Sequence, residues 1–388
     1  MSRFSSTRSM KMVLEPVTPV HVWDGYEYMV GLDVILDLEG KTYCVVDLDE
    51  IAKSLKLRHE EIIDITKLSK RLILAIQGIL RSGRWKDLCK RVGKLPCSIT
   101  SPSLRIRLLQ STIIPGSTLK GLIRTAVLYY LLKEIAKRDI SQLKQIISAG
   151  INLYGNLKTA SEGLEARLFR SPRLKRQGGY VDSFQSLLVS DPIISEKIEL
   201  GIMSLHVLDI DRLIKNDLRP IAVMNIEVLL KGRLTYVLHL RGVKTNIALP
   251  KPAENLRRSI RSMVEVLNKL NIELIKNSLK EFSYDIIDYE SRRIKGINIL
   301  KHYLDMLNSL RNQVGKNDCF PLRIGFGVGH MSKTIDLLLA KYYSSFYKTL
   351  TSVMSEHYGR MWDEKTVKVV HCNDAIVGVG WIRLCLRE

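Results

Sequence analysis

Apolar positions alternate with polar ones, or recur at helical spacing, in a readable order along the chain. Met10–Trp23 is strand-like and ends in Thr18-Pro19-Val20-His21-Val22-Trp23, with Asp24-Gly25 following as a turn signal. Lys41–Asp47 is a second short strand, and from Leu48 to Gly93 Leu and Ile recur every three or four residues, which predicts helix. Ile99–Leu109 sets Leu104, Ile106 and Leu108 against Arg105 and Arg107, the pattern of a half-exposed strand. A helix is predicted over Thr118–Lys137. The second half opens with strands at Leu187–Ser190, Ile198–Val207, Ile221–Leu230 and Leu234–Leu240, the last two joined by an apparent hairpin turn. Helix follows from Glu254 to about Val314. Then come a strand at Pro321–Ile324, a glycine-rich turn, a helix over Ser332–Tyr347, and strands at Val367–His371 and Ala375–Leu386. Strands, a glycine turn and a helix thus occur twice, which predicts an α+β protein of two modules and not a doubly wound sheet. The basic, glycine-containing stretch Arg167–Gly179 is the expected junction, giving modules 1–182 and 183–388.

Composition adds a partner to this picture. Of 388 residues 46% are hydrophobic and 26% charged, the balance of a folded globular chain. Lys and Arg number 60 against 40 Asp and Glu, a net charge of +20. That much like charge repels itself in a compact state, so a polyanion is the expected partner. No apolar run reaches the roughly 18 residues of a spanning helix, and Met1–Val13 has no apolar signal core, so no membrane role is expected and the chain is read as cytoplasmic. The six cysteines are scattered with no C-x-x-C pair, which excludes zinc knuckles and ribbons and predicts buried free thiols. No histidine pair has metal-ligand spacing, so neither metal nor cofactor is expected.

Candidate chemistry lies in four places. In Ile113–Arg124, Pro115-Gly116 makes a turn and Ser117 is placed to cap a helix starting near Thr118. Lys120 and Arg124 share a face, Gly121 permits close approach, and the first-turn N–H groups could receive a phosphate. An ordinary capped helix with a solvated basic face fits the same residues. In Gly325–Thr334 the glycines Gly327 and Gly329 precede Ser332-Lys333, but the Walker A and dinucleotide patterns both fail by one residue. An anion-facing turn or an empty strand-to-helix turn remain. His21 ends a strand beside Trp23 and Asp24, as a binding group or as a packed strand-end residue. Finally, basic residues surround Trp85 (Arg81, Arg84, Lys86, Lys90, Arg91, Lys94) and line a helix at Arg257, Arg258 and Arg261, which suits an RNA backbone and stacked bases, or a solvated face.

Together these segments resemble the RAMP proteins of type III CRISPR systems, most nearly the family of the fifth Csm subunit. Thr18–Gly25 is similar to the family's "SPVHIGSG" start, with Trp23-Asp24 in place of its Gly-Ser or Gly-Asn. Tyr43–Leu48 resembles its "Y-x-I-D" strand, and Ile114–Arg124 resembles "IPGSSLKGAIR". Ile324–Thr334 resembles its glycine-rich loop ending in "SKT", and Val379-Gly380-Trp381 its "GW" strand. The resemblance implies two ferredoxin-like (RRM-type) modules with helical insertions. It implies crRNA, the backbone RAMP subunit and a small helical subunit as partners, with target RNA met through the complex. The role implied is capping of the complex at the crRNA 3′ end, with no catalytic residue. RNA contacts are expected at His21, Trp23, Gly116, Ser117, Thr118, Lys120, Gly121, Arg124, Gly327, Gly329, Ser332 and Lys333. The enzyme alternative is a RAMP endoribonuclease using His21 as general base, or a metal held at Asp24, with Asp33 in the comparable stretch.

Overall fold

A computed structural model describes residues 8–47, 89–101, 103–111, 113–172, 180–194, 196–241, 270–359, 365–372 and 375–387, with Leu74 and Gly78 besides. Of the helix expected from Leu48 to Gly93, the part over 48–88 lies outside them apart from Leu74 and Gly78, which are helical; the basic groups at 81–86 and 257–261 and most of the expected junction lie outside them too.

Two sheets carry the chain. The first is built from β1 (Arg8–Pro16), β9 (Leu187–Val189), β10 (Ile193–Ile194), β13 (Leu234–Leu240), β14 (Cys319–Arg323) and β17 (Trp381–Arg387). Its order is β10-β13-β1-β17-β14, antiparallel throughout, with β9 also on β13. The second contains β2 (Trp23–Met29), β3 (Val34–Asp37), β4 (Thr42–Val46), β5 (Cys89–Lys94), β6 (Arg105–Leu109), β11 (Glu199–Asp209), β12 (Ala222–Lys231), β15 (Thr366–Cys372) and β16 (Ala375–Gly378). Its main path is β2-β6-β12-β11-β5-β4-β3, in which β12–β6 and β11–β5 are parallel. This sheet curls on itself: β2 and β3 end its path yet are joined through Val30, which bridges Val34, while the Gly31 N–H donates to the Val34 carbonyl. A small ribbon of β7 (Arg170–Pro172) and β8 (Tyr180–Asp182) stands apart.

Helices α1 (Gly116–Arg138) and α5 (Ile272–Ile294) pack on one another, α1 against β9 and α5 against β14. Shorter helices α2 (Ile140–Gly150), α3 (Glu162–Phe169), α4 (Ile210–Ile214), α6 (Lys301–Arg311), α7 (Asp336–Tyr342) and α8 (Ser344–Tyr358) complete the described set. The buried residues of α1, Leu119, Leu122, Ile123, Ala126, Val127 and Leu132 among them, recur at three- and four-residue spacing, so one stripe enters the core. The helix stops at Asp139, whose carboxylate then accepts the Ser141 and Gln142 N–H groups and starts α2.

The α+β class is as expected, but the chain does not divide at 182/183. Both sheets draw strands from both sides of that boundary, because β1 needs β13 and β17 as neighbours, and β6 needs β12. Leu230–Leu234 is not a hairpin: β12 lies in the second sheet and β13 in the first, so the turn carries the chain between sheets. Cys89–Lys94, at the end of the expected helical stretch, is strand β5. The helix expected from Ser332 starts at Asp336, and Ala375–Leu386 is broken at Val379-Gly380 into β16 and β17.

The cysteines also differ from expectation. They pair as Cys44–Cys89, Cys97–Cys372 and Cys319–Cys385, leaving no free thiol among the described residues. For one pair sheet register is the reason: Cys319 lies directly opposite Cys385 in the β14–β17 ladder, a pairing no local spacing announces.

Candidate functional site

Three of the four motif segments meet at one pocket of about 470 Å³. Val22 and Trp23 line it from the entry to β2, Thr118, Gly121, Leu122 and Thr125 from α1, Arg323 from the end of β14, and Ile324–Phe326 with Ser332 and Lys333 from the loop that follows. Hydrogen bonds to backbone carbonyls tie these segments together. The Phe326 N–H donates to the His21 carbonyl (2.7 Å), and the Thr125 hydroxyl donates to the Lys333 carbonyl (3.4 Å). Gly325 makes the first contact possible: its φ is +90°, and a Cβ there would sit 2.1 Å from the His21 carbonyl oxygen.

Two polar groups in this pocket lack partners. Ser332 is almost fully buried, and its hydroxyl makes no hydrogen bond among the described residues. The Lys333 ammonium has no carboxylate partner among the described residues. It reaches solvent at the pocket's edge, yet the surrounding walls lower its pKa through desolvation, with Lys368 and Arg323 adding repulsion. An orphaned hydroxyl beside an uncompensated cation is a surface prepared for an anion. The Trp23 ring stands 6.0 Å from Phe326 and lies under the Arg107 guanidinium at 4.5 Å. Glu27 fixes that arginine through bonds of 2.9 and 3.1 Å, so an aromatic wall backed by a cation flanks the pocket.

The other expected contact residues fall elsewhere. Arg124 does not face the pocket. Its guanidinium pairs with Asp182 (2.8 and 2.9 Å) and Glu165 (2.5 Å), between the rings of Phe169 and Phe184, each 5.0 Å away. It ties α1 to α3 and β8, so its job is internal. Lys120, half-buried, takes its electrostatic support from Asp182 against desolvation and Arg124. Ser117 is not the cap. Helix α1 begins at Gly116 behind an extended Pro115, and the Gly116 N–H is taken by the Asp191 carboxylate (2.9 Å). Gly116 itself must be glycine, since a Cβ would lie 2.1 Å from the Ser190 carbonyl oxygen. The helix start expected to receive a phosphate therefore already holds a carboxylate. Gly327 and Gly329 have positive φ of 84° and 79° and shape the loop without lining the pocket.

Nor do the residues of the nuclease alternative stand free. His21 is fully buried, its Nδ1–H donating to the Glu227 carbonyl (2.6 Å) and its ring edge-on to Phe326. Nε2 is enclosed without a partner among the described residues. Asp24 accepts from the Tyr26 N–H (3.0 Å) and the Tyr28 hydroxyl (2.6 Å), and Asp33 accepts from the Met29 N–H (2.8 Å). Among the described residues no group of three or more His, Cys, Asp or Glu could hold a metal, and no helix is long and apolar enough to cross a membrane.

Glu227, which sequence reading passed over, organises the floor beneath His21. Its buried carboxylate accepts from the Tyr43 hydroxyl (2.5 Å), Arg91 (2.5 Å) and the Leu109 N–H (2.9 Å), so β4, β5, β6 and β12 converge on one side chain. Burial raises its pKa, against the opposing pull of Arg91 and these hydrogen bonds. Arg91 and Lys94, expected at a basic RNA-facing cluster, are instead paired to Glu227 and Glu199.

Burial of His21 sets up a pH test. Desolvation lowers its pKa from 6.5 to about 4, although the bond to Glu227 and nearby Asp24 favour the proton. The folded state keeps the imidazole neutral over a range where the unfolded chain takes up a proton, so stability is present above about pH 6.5 and falls as pH drops toward about 4. The loss is of order 3 kcal/mol. In urea titrations between neutral and mildly acidic pH, His21→Gln should show a flatter decline than wild type. Parallel curves would remove His21 as the cause.

The pocket's segments can now be set beside known proteins. The RAMP superfamily profile matches residues 13–332, from β1 through Ser332. The chain belongs to the RAMP superfamily. Among curated relatives of this RAMP protein is the CRISPR system Cms protein Csm5 of Methanocaldococcus jannaschii, 25% identical, covering 98% of this chain and 90% of the relative. Two solved structures share the fold. One is a chain of a type III-A Csm–crRNA–target RNA ternary complex, with TM-score 0.61, 20% identity, and coverage of 97% of this chain and all of the other. The second is T. onnurineus Csm5, with TM-score 0.57, 19% identity, and coverage of 95% and 99%. The RAMP resemblance carried by the motifs is thus upheld over nearly the whole chain.

Proposed function

We propose that this RAMP protein is a crRNA-binding subunit of a type III CRISPR ribonucleoprotein. It caps the filament at the crRNA 3′ end beside the backbone RAMP subunit, and it acts by binding and not by cutting. The observation that carries this reading is the pocket where Trp23, Thr118, Gly121, Ser332 and Lys333 converge around an unpaired cation and an unpaired hydroxyl. A phosphodiester supplies the charge that Lys333 lacks and the acceptor that Ser332 lacks, while the Trp23–Phe326 wall offers an apolar face to a ribose or base. The likeness to Csm5, and to a chain of a complex that contains crRNA, points to the same ligand. A small helical subunit and target RNA are the further partners this reading implies.

Phosphate-led binding has a defined salt signature. The logarithm of the RNA association constant should fall linearly with the logarithm of salt concentration, by about 0.7 for each phosphate neutralised, with little dependence on sequence. Filter binding of single-stranded RNA across a salt series measures this directly. A flat response would overturn the proposal.

A further inference from the structure

The first sheet carries a second basic hollow, of about 590 Å³, away from the Lys333 pocket. Strand alternation creates it. In β1, Met12 and Leu14 are buried, so Lys11, Val13 and Glu15 project from the opposite face. β17 lies beside β1 in the register Lys11↔Arg387, Val13↔Cys385 and Glu15↔Arg383, with Leu384 and Leu386 buried. Arg233, from the link between the two sheets, and Lys316, from the turn beyond α6, stand at the rim.

The charges there do not balance. One carboxylate, Glu15, lines the hollow, and it is shared between Arg383 and Arg233, which hold its pKa down against the effect of burial. Arg233 also reaches Glu196 (3.0 Å), and Arg387 donates to the Asn317 carbonyl (3.2 Å). Lys11 and Lys316 are exposed and have no carboxylate partner among the described residues. Five cations around one already-shared carboxylate repel one another until an anion arrives. None of the exposed large apolar side chains among the described residues lines this hollow, so a protein partner would find no apolar anchor. The arginine forks, spread along β17 and the rim, suit phosphate oxygens.

We propose that this groove on β1 and β17 binds a second stretch of RNA backbone, separate from the one at Lys333. Cys319 lines the groove and Arg323 the pocket, at opposite ends of β14, so the two lie about 13 Å apart along that strand. The inference rests on the groove's own charges and not on the reading of the pocket.

The test uses the full chain and a single-stranded RNA of mixed sequence carrying 4-thiouridine. Lys11→Glu with Lys316→Glu should weaken RNA binding about tenfold and make the salt dependence shallower. The melting temperature should be unchanged or higher, because neither side chain has an ion-pair partner to lose among the described residues. The neutral pair Lys11→Gln and Lys316→Gln should give a smaller loss in the same direction. Crosslinks in the wild type should map to the segments around 11–15, 313–319 and 383–387, and should persist in Lys333→Glu. Loss of RNA in the groove variants alone would uphold the groove and sink the pocket reading. Unchanged affinity, or crosslinks confined to the Lys333 pocket, would overturn the groove. So would intact RNA binding combined with lost binding to polyglutamate, which would mark an acidic protein as the occupant.

Discussion

Lys333→Glu should weaken binding of single-stranded RNA by well over tenfold, beyond ~1.4 kcal/mol, while leaving the fold intact or slightly more stable. The two halves of this expectation have one cause. The Lys333 ammonium is held among walls that penalise its charge, with Lys368 and Arg323 as its electrostatic neighbours and no carboxylate in reach among the described residues. Removing such a cation relieves the free protein. A bound phosphate would have reversed the penalty, and a charge-assisted bond of that kind is worth about 1.5–3 kcal/mol. Lys333→Ala should therefore show the loss of affinity in weaker form, again without loss of stability. Ser332→Ala, which removes a hydroxyl that has no partner among the described residues, should act in the same sense and more weakly. Affinity and melting temperature measured on the same preparations decide the matter. Wild-type affinity in both Lys333 variants would mean that the RNA path avoids this pocket.

The second large effect is on stability. Glu227→Ala should cost about 3–5 kcal/mol, a large share of the 5–15 kcal/mol that holds a typical domain together. The alanine would leave the Tyr43 hydroxyl, the Leu109 N–H and the Arg91 guanidinium without their acceptor, three donors on three different strands. Glu227→Gln keeps one acceptor oxygen and should cost less. Chemical denaturation read by tryptophan fluorescence suits the measurement, because Trp23 borders the same region. A loss below about 1 kcal/mol in Glu227→Ala would show that water replaces the carboxylate without penalty.

What the sequence disclosed was local. The strands at 187–189, 199–209, 222–231 and 234–240 and the helix over 116–138 follow from runs and periodicities inside each segment, and they were found within a few residues. The glycine turn after β14 and the first loop were legible because a tight turn restricts which residues can occupy it. Distant partners were not legible. Ser117 reads as a cap because it sits where caps sit, but the group that caps Gly116 is Asp191, 75 residues on. Arg124 reads as a ligand-facing cation, yet Glu165 and Asp182 claim it from 41 and 58 residues away. Glu227 looks like a polar residue in a strand until the fold surrounds it with Tyr43, Arg91 and Leu109. Two of the disulfides follow the same rule, since Cys319–Cys385 depends on β14 lying beside β17 and Cys44–Cys89 on β4 lying beside β5. In the pocket, Trp23, Thr118, Gly121, Ser332 and Lys333 were foreseen, whereas the role of Arg107 behind Trp23 was not.

Strand β17 sits between β1 and β14, and its ladder with β1 links Glu15 to Arg383, 368 residues downstream. On a ribosome adding about 5–20 residues per second, β1 would wait on the order of 20–70 s for that neighbour. Until then its Lys11–Glu15 edge is an unpaired template open to any passing strand. Lys11 and Glu15 along it keep that nascent edge soluble, and once Arg383 and Arg387 of β17 arrive the same side chains line the mature groove. Moving β17 by circular permutation so that it directly precedes β1 would shorten the wait to the length of a linker. That change would act on the yield of folded chain during synthesis and leave the finished sheet as it is.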